Sequence, residues 1–595
     1  MSAQFAVGQE KIRNFDSRQS IPTALSRWEG TFLLRKVGSG YLMPTFLKFD
    51  SPFLYMSEAS PEKNAALMEK IVSLCKRRGF IFQSAEIYGG LNGCWDYGPL
   101  GVELKRNLKE YWWRRNVQER DDIVGVDGSI LTLEAILKAS GHLDGFSDEM
   151  STCRFCKKHV RFDQLRDMIA NSPWAQSLAE IMTVVQPGDP AGVVVDAEAL
   201  ARWARKKGKN LAPNLALVRN PEVVLSWVQE ETERHQPFDP WYFTQLVATE
   251  QLKQTGPVNP CPDCGGDLTA PRKFNLMFET NFGAAGDSVA YLRPETAQSI
   301  FVQFKNVLET SRVKPPFGIA QIGKSFRNEI NPRNFTFRSR EFEQMEIEFF
   351  CMPEDGLRLT DEWLEIRLKF YEEIGIPREH LHVIDIPDGE RAFYSQKTYD
   401  IEYEFPFGIQ ELEGVAYRTD YDLTVHQKGS GKSLEYFNEE TKEKILPHVV
   451  EPSAGCDRTV LALICEAYDE ETVTDEKGKE ETRTVMRFSP RMAPIKVGIF
   501  PLLKNKPELV AKAREIQKML SPFMAVFYDE AAAIGRRYRR QDEVGTPFCV
   551  TVDFETLGEN GEELKDTVTL RERDSMKQER IAISELRGFL LDRIM

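Results

Sequence analysis

The sequence predicts an α+β protein of several domains, and three observations support this fold class. Two apolar-rich segments, 317–329 and 337–350, flank an Asn-Pro step, which is typical of a long antiparallel hairpin. Apolar residues recur at helical spacing in 64–80 and 101–117, which predicts two amphipathic helices. After residue 488, strand patterns alternate with helical patterns, which indicates a separate α/β unit. A chain of 595 residues has room for about two to four such domains.

Composition limits the classes of function. A net charge of −14 argues against a general polyanion binder, because nonspecific affinity for nucleic acid needs a basic surface. This net charge does not exclude the binding of one folded RNA through local basic patches. No apolar run approaches the roughly 18–20 residues that span a bilayer, so we expect no membrane partner. The ten cysteines include two Cys-x-x-Cys pairs and are otherwise scattered, which suits the reducing cytoplasm.

The predicted hairpin carries charged side chains at alternate positions. Alternate residues of a strand share a face, which places Arg327 beside Glu329 on the first segment. On the second segment the same rule aligns a row of polar and aromatic residues: Arg338, Arg340, Phe342, Gln344, Glu346 and Glu348. Guanidinium groups grip phosphates, and carboxylates hold a metal ion or an ammonium group. The other interpretation of this pattern is a charged, solvated sheet face.

Two knuckle-like cysteine pairs predict a metal site. Cys153 with Cys156 and Cys261 with Cys264 could each present two thiolates, and together they could form a tetrahedral Cys₄ zinc site. Because the pairs lie far apart in the sequence, they would have to close the base of an inserted lobe. Four thiolates leave no open position, so the zinc would be structural. The alternative is two unrelated pairs of reduced thiols.

The hairpin sequence FRNE followed by FRSREFEQMEIEFF resembles motif 2 of the class II aminoacyl-tRNA synthetases, in the form found in glycyl-tRNA synthetases. The segment 87–117 resembles motif 1 and 448–468 resembles motif 3, and RPETAQ at 293–298 also matches this family. The resemblance implies a catalytic core built on an antiparallel sheet with helices. It also implies a homodimer that uses ATP and Mg²⁺ to join glycine to tRNA(Gly).

The resemblance carries residue roles onto matching positions. Arg327 and Arg458 would be catalytic, because they would neutralise the phosphate charge of a bent ATP. The residues implied to bind ATP are Arg327, Asn328, Glu329, Phe337, Arg338, Phe342, Glu411, Leu412, Gly455 and Arg458. The residues implied to bind glycine are Arg161, Glu295, Phe342, Gln344, Glu346, Arg418, Glu451 and Ser453. Mg²⁺ is expected with ATP, since carboxylates near a triphosphate commonly hold it.

These patterns and the resemblance divide the chain into five parts. They are an N-terminal extension at 1–55, a first part of the core at 56–156, a mostly helical lobe at 157–260, a second part of the core at 261–487 and an α/β anticodon-binding domain at 488–595. The extension is either poorly ordered or the product of an upstream start codon. The charged segment 469–485 is predicted to be an exposed excursion.

The C-terminal part contains GRRYRR at 535–540. Tyr538 lies among four arginines (536, 537, 539 and 540), and this combination suits stacking and phosphate contact with an RNA loop. The alternative is a solvated helix start.

Two other functions remain to be compared with glycine activation. Within the same class of enzyme, the substrate could be threonine, proline or histidine, although RPETAQ and EPSAG argue against this. Some synthetase-like chains are not catalytic and bind nucleic acid instead. Such chains typically lose ATP-binding residues, whereas Arg327, Glu329 and Arg458 are all present here.

Overall fold

The protein is described by a computed structural model that covers residues 61–170, 172–173, 261–266, 268–286, 288–474 and 480–594. The predicted extension 1–55 and residues 174–260 of the predicted helical lobe lie outside these residues. Among the residues covered, no helix is long and apolar enough to cross a membrane.

Twelve α-helices occur in the described part of the chain. Their bounds are α1 Pro61–Arg78, α2 Pro99–Trp113, α3 Glu134–Ala139, α4 His142–Gly145, α5 Leu165–Ala170, α6 Ala297–Ser311, α7 Gly356–Ile374, α8 Tyr421–Ser430, α9 Cys456–Ala467, α10 Pro507–Leu520, α11 Ile534–Val544 and α12 Ile583–Ile594. The helices expected at 64–80 and 101–117 are therefore confirmed as α1 and α2. Pro99 begins α2, where its fixed backbone angle suits a first helical position and its missing N–H is not needed.

The described residues also form twenty-four strands. Their bounds are β1 Ile81–Gln83, β2 Trp95–Tyr97, β3 Ile123–Gly125, β4 Leu131–Leu133, β5 Ser147–Thr152, β6 His159–Arg161, β7 Arg272–Asn275, β8 Phe278–Phe282, β9 Ser288–Leu292, β10 Phe317–Phe326, β11 Glu341–Cys351, β12 Leu381–Asp385, β13 Lys397–Phe405, β14 Gly408–Thr419, β15 Tyr436–Phe437, β16 Lys444–Ile445, β17 His448–Gly455, β18 Tyr468–Thr474, β19 Glu480–Met486, β20 Val497–Pro501, β21 Val526–Tyr528, β22 Phe548–Val552, β23 Thr567–Glu572 and β24 Gln578–Ala582.

A seven-stranded sheet organises the first part of the structure. Its order is β12-β13-β14-β17-β11-β10-β3, and every neighbouring pair is antiparallel except β10 with β3. One face of β11 places Met345, Ile347 and Phe349 in the core beneath the helices. Phe349, for example, meets Trp363 of α7 edge to face at 5.4 Å between ring centroids. The opposite face of β11 presents its polar side chains, so the alternation in the sequence sets which face can carry chemistry.

The predicted hairpin is confirmed as β10 and β11, with Gln321 opposite Glu346. Its strands are shorter than expected, since residues 327–340 form an ordered connector. Arg340 holds this connector away from the sheet by donating to the backbone carbonyls of Glu329 (2.9 Å) and Asn92 (2.6 Å). The prediction that Arg327, Glu329, Arg338 and Arg340 lie along the strands is therefore wrong, because these residues belong to the connector.

The C-terminal residues form a second sheet with its own core. Its order is β21-β20-β22-β23-β24, in which β20 runs parallel to both β21 and β22. Helices α10 and α12 cover it, with Leu509, Ile516 and Leu586 fully buried. The predicted α/β unit is thus present.

The segment 469–485 agrees with its prediction in part. Most of it forms the hairpin β18–β19, in which Glu470, Thr472, Glu480 and Thr482 are exposed but Arg483 and Val485 are buried. Arg483 of this hairpin is 3% exposed and pairs with Glu471 (2.7 Å) and with Asp542 of α11 (3.3 Å). Part of the charge in this segment therefore forms buried ion pairs and is not exposed to solvent.

Candidate active site

A cavity of about 480 Å³ opens on the polar face of the seven-stranded sheet. Strands β11, β13, β14 and β17 form its floor, and the connector 327–340 and the start of α9 form its walls. Fourteen of the predicted site residues line it: Glu295, Arg327, Glu329, Phe337, Arg338, Phe342, Gln344, Glu346, Glu411, Leu412, Glu451, Ser453, Gly455 and Arg458.

Buried carboxylates occupy one end of the cavity. Glu346 accepts hydrogen bonds from the hydroxyls of Thr296 and of Ser453, the latter at 2.7 Å. Glu451 lies on the same face of β17 as Ser453, and Glu295 precedes α6 and lies 3.4 Å from Nε2 of His142. Three acidic side chains that converge in a buried site, with hydroxyl donors on one of them, suit a small cationic group.

The carboxylates differ in their electrostatics. Burial alone would raise the pKa of Glu295, but His142 and Arg418 outweigh it and hold this pKa well below its usual range. Burial raises the pKa of Glu451 to about 8, against the opposing effect of Arg418 and with a further rise from Glu346. Burial and then Glu295 raise the pKa of Glu346. Negative charge is therefore crowded here, and a bound cation would relieve it.

Arg418 contacts the acidic end of the cavity through Glu451. It is fully engaged, since it donates to both carboxylate oxygens of Asp422 (2.7 and 2.9 Å) and to Glu451 (2.8 Å). Its guanidinium carbon also lies 4.0 Å from the ring centroid of Tyr394, which lines the cavity. Arg418 itself is not among the lining residues, so it orients Glu451.

Arginines occupy the other end. The guanidinium carbon of Arg327 lies 5.3 Å from the ring centroid of Phe342, and that of Arg458 lies 4.5 Å from the ring centroid of Phe337. Arg338 comes from the connector between them and lies 3.8 Å from Glu329. Three cations, two of which lie beside flat aromatic rings, suit a phosphate chain and a planar base.

Gly455 gives Arg458 the space that it occupies. A Cβ atom at position 455 would lie 3.2–3.4 Å from the Arg458 side chain, tighter than most real contacts. The sequence predicts that this glycine allows a ligand to approach the backbone. In the structure it also makes room for the neighbouring arginine at the start of α9.

Glu411 connects the arginine end to the acidic strand β13. It pairs with Arg458 at 3.0 Å, and this arginine, acting against burial, lowers the pKa of Glu411. Burial and the neighbouring Glu411 raise the pKa of Asp400, which faces the same cavity, to about 7. Oxygen donors of this kind are the ligands that Mg²⁺ prefers.

Besides Arg418, two further predicted residues lie outside the cavity lining. Arg161 ends β6 and pairs with Asp148 (3.1 Å) and Asp163 (2.6 Å). The backbone N–H of Asn328 donates to the carbonyl of Leu276 at 2.6 Å. In this arrangement both shape the surroundings, and their contact with substrate stays a prediction.

The four cysteines of the predicted metal site come together. Their sulfur atoms all lie within 4.8 Å of one another, with 3.6 Å between Cys153 and Cys264 and 3.8 Å between Cys156 and Cys261. Strand β5 leads into the first pair and pairs with β6 and β7 on its two sides. The two pairs, which are separated by residues 157–260 in the sequence, therefore meet in space as the predicted metal site requires.

The cluster GRRYRR does not form one continuous surface. Arg537 is buried and donates to the backbone carbonyls of Pro501 (2.5 Å) and Ala532 (2.8 Å). The Tyr538 hydroxyl bonds to Thr551 at 2.6 Å, and Arg540 pairs with Asp529. Arg536 remains exposed. Most of the predicted RNA-facing cluster is therefore occupied in holding α11 on the C-terminal sheet.

Several residues at the cavity were not predicted from the sequence, and three of them bear on its chemistry. Tyr394 and Asp400 line it, and the hydroxyl of Thr296 bonds to Glu346. Thr296 directly follows Glu295 in RPETAQ, so its position was a usable signal. Tyr394 comes from the loop after β12, where no pattern in the sequence indicates a role.

Comparisons with known proteins agree with this geometry. Residues 281–468 match the family model described as the tRNA synthetase class II core domain (G, H, P, S and T), and 496–593 match the anticodon binding domain. A glycine–tRNA ligase from Thermus thermophilus is 45% identical over 552 residues, which cover 89% of this chain and 99% of that protein. One from Thermobifida fusca is 43% identical over 534 residues, which cover 89% of this chain and 98% of that protein. The chain belongs to the glycine–tRNA ligase family.

Family membership explains the architecture described above. The antiparallel sheet with the hairpin β10–β11 and the strand–helix unit β17–α9 is the class II synthetase core, and the C-terminal sheet is the anticodon-binding domain. The acidic and basic ends of the cavity both lie within this core.

Proposed function

We infer that the protein is a glycine–tRNA ligase, which activates glycine with ATP and transfers it to the 3′ end of tRNA(Gly). One observation carries this inference. A single cavity has a buried acidic end at Glu295, Glu346 and Glu451 and a basic end at Arg327, Arg338 and Arg458. The acidic end suits the ammonium group of an amino acid, and the basic end suits a triphosphate.

The reaction needs no nucleophile from the protein. A carboxylate oxygen of glycine attacks the α-phosphorus of ATP, pyrophosphate leaves, and glycyl-adenylate forms. The 3′-terminal hydroxyl of the tRNA then attacks the carbonyl carbon, and AMP leaves. We propose that Arg327 and Arg458 bind and neutralise the phosphates, so that catalysis comes from positioning and charge compensation.

ATP binding would use the connector and the strands at the basic end. Phe337 and Phe342 offer aromatic faces, each with an arginine alongside. Glu411 and Asp400 have the oxygen donors to hold Mg²⁺, which would neutralise phosphate charge when bound. Glu329 would keep Arg338 oriented.

Glycine selection would rest on charge and lack of space. Glu295, Glu346 and Glu451 would surround the ammonium group, and Ser453 and Gln344 would hold Glu346 in place by hydrogen bonds of 2.7 and 3.4 Å. A crowded pocket can exclude a methyl group by steric contact, so no editing step is needed. RPETAQ and EPSAG contribute Glu295, Glu451 and Ser453 to this pocket, which favours glycine over threonine, proline or histidine.

We propose that the four cysteines hold a structural Zn²⁺. Tetrahedral zinc with sulfur ligands at about 2.3 Å requires sulfur–sulfur distances of about 3.8 Å. The sulfur–sulfur distances of 3.6 Å between Cys153 and Cys264 and 3.8 Å between Cys156 and Cys261 fit this requirement. Cys153, Cys156, Cys261 and Cys264 would then fix the ends of the inserted segment, and the metal would take no part in the reaction.

We propose that the enzyme is a homodimer with the five-part organisation described above. Two adjacent residues, Ile87 and Tyr88, support this proposal, because their large side chains are 89% and 88% exposed in the single chain and could be buried between two copies. Sedimentation analysis would distinguish a dimer from a monomer.

We propose that the protein works in the cytoplasm. None of the described cysteines forms a disulfide bond, which suits a reducing compartment.

Pyrophosphate exchange tests the proposed function. Labelled pyrophosphate, ATP and one amino acid at a time are incubated with the protein, without tRNA. We expect exchange with glycine and background with alanine, serine, threonine, proline and histidine. Exchange with another amino acid and not with glycine would contradict the glycine assignment, and no exchange with any would favour a noncatalytic role.

A further inference from the structure

Glu348 is a buried carboxyl group next to the acidic end of the cavity. It lies two residues after Glu346 on β11 and therefore on the same face of the strand. The side chain is 0% exposed, and neither carboxyl oxygen receives a hydrogen bond from any described group. It does not line the cavity, and nothing in the proposed reaction uses it.

Glu348 belongs to a compact group of three carboxyls. Oxygen atoms of Glu346, Glu348 and Glu451 lie within 4.8 Å of one another. The cation facing them is Arg418, whose guanidinium already bonds to Asp422 and Glu451. An ionised carboxylate without a donor or a free cation is strongly disfavoured in such a place, so the neutral acid is the form that fits.

A neutral carboxylic acid carries one hydrogen that needs an acceptor. Glu346 already accepts from Thr296, Ser453 and Gln344. Glu451 receives one described hydrogen bond, from Arg418, and still has capacity as an acceptor. Glu451 is therefore the acceptor that the geometry leaves for Glu348.

We propose that Glu348 is a positioning residue, a neutral acid that donates a hydrogen bond to Glu451 and thereby fixes Glu451 for the ammonium group of glycine. The proposal rests on the proposed function of this cavity. It gives the third carboxyl of the group a role: Glu348 adds a hydrogen-bond donor to the pocket without adding a negative charge.

The titration of this group supports the geometry. Burial and then the neighbouring Glu451 raise the pKa of Glu348 well above its usual range, while Arg418 opposes the rise. The charged groups that face it are Glu346 on its own strand, Glu451 on β17, Arg418 on β14 and Asp422 on α8. Glu348 is therefore expected to keep its proton to a higher pH than an ordinary carboxyl group.

Two substitutions separate the neutral-donor role from the alternatives. Glu348→Gln keeps a hydrogen-bond donor and cannot ionise, whereas Glu348→Met keeps the volume and removes the donor. In pyrophosphate exchange at pH 7 we expect the KM for glycine to stay within about threefold of wild type in Glu348→Gln and to rise about tenfold in Glu348→Met. The KM for ATP should be unchanged in both.

The pH profile supplies a readout that a merely structural role would not move. In wild type, loss of the Glu348 proton as the pH rises places a second negative charge beside Glu451, so the KM for glycine should rise more steeply with pH than in Glu348→Gln. Titration of glycine itself is the same for both enzymes and cancels in the comparison. Equal pH profiles, or equal losses in the two variants at pH 7, would overturn the proposal.

Stability gives a test that does not depend on activity. A raised pKa means that the folded protein keeps a proton that the unfolded chain releases above about pH 4.3, so the contribution of Glu348 to stability falls as pH rises. The melting temperature of Glu348→Gln relative to wild type should therefore increase from pH 5 to pH 8. A constant difference would contradict the proposal. Wild type that activates no glycine would instead refute the proposed function.

Discussion

Arg327 lies where the connector after β10 enters the cavity. Its Nε donates to the carbonyl of Pro294 at 3.1 Å, and its guanidinium lies beside Phe342 and Phe146, each at 5.3 Å from ring centroid to guanidinium carbon. These contacts hold one edge of the guanidinium and aim the group before any ligand binds. Because the Arg327 guanidinium is already held in place, it can compensate the negative charge that develops on the phosphate without having to move during the reaction.

Arg327→Ala should abolish pyrophosphate exchange while the protein remains folded. Loss of a preorganised cation at developing charge typically lowers kcat by about 10²–10³-fold. Exchange kinetics measure the effect, and circular dichroism with a melting curve checks the fold. Arg358→Ala is the matched control, since Arg358 lies on the exposed side of α7 beside Asp355 and Glu362. Near-normal exchange by Arg327→Ala would refute its role.

Glu346→Gln should weaken glycine binding selectively. It removes one negative charge at the acidic end but preserves the size of the side chain, and the amide oxygen still accepts from one of the two hydroxyls of Thr296 and Ser453. We expect the KM for glycine to rise about tenfold or more, because a charge-assisted interaction contributes roughly 1.5–3 kcal/mol, with little change in the KM for ATP. The exposed Glu354→Gln serves as control. A parallel rise in both KM values would place Glu346 in general support of the fold.

For single residues, the sequence predicts which side chains share a face of the sheet better than it predicts which partners those side chains contact. The period-two pattern places Phe342, Gln344, Glu346 and Glu348 on one face, and the structure agrees. It does not predict that Glu348 is without a donor or that Arg161 is held by Asp148 and Asp163, because partners distant in sequence decide these contacts. Long-range pairs become visible only when the chain is folded.

Among the elements, the hairpin β18–β19 agrees with its prediction only in part. A run of charges with a glycine suggested exposure, but Arg483 is buried against Asp542, which also receives a bidentate pair from Arg571 at 2.8 and 3.1 Å. The sequence of the hairpin carries no sign of this, since Asp542 and Arg571 come from α11 and β23. By contrast, the strands β10 and β11 were predictable because their own alternation sets the buried face.

Asp542→Ala should destabilise the protein more than Arg483→Met. Removing Asp542 leaves Arg483 and Arg571 buried without their common partner, which typically costs about 3–5 kcal/mol. Arg483→Met leaves Asp542 paired with Arg571, so the cost should be smaller. Thermal unfolding of both variants measures the order. A larger loss in Arg483→Met would show that the hairpin does not depend on this shared carboxylate.

For the whole molecule, zinc should bind at about one ion per chain and stabilise the base of the inserted segment. Cys264→Ser should lower the zinc content and the melting temperature, because the two ends of the inserted segment would no longer be joined through the metal. Cys94→Ser is the control, since Cys94 lies outside the four-cysteine group. Atomic absorption measures the metal, and less than about 0.2 zinc per wild-type chain would contradict the site.

The division of the whole chain follows from composition and pattern more readily than its internal contacts do. The strand–helix alternation after residue 488 predicts an α/β unit, and the C-terminal sheet has a core of Leu509, Ile516 and Leu586 that is separate from that of the first sheet. The approach of the two cysteine pairs was predictable from their ligand chemistry. The loop that brings Tyr394 over Arg418 was not, because it carries neither periodicity nor a motif.

The most direct test of the central claim is a crystal structure with a nonhydrolysable analogue of glycyl-adenylate. The account predicts the amino group at hydrogen-bonding distance from Glu295, Glu346 or Glu451, and the phosphate within reach of Arg327. An adenylate bound in the reverse orientation, or an amino group without a carboxylate partner, would contradict the account.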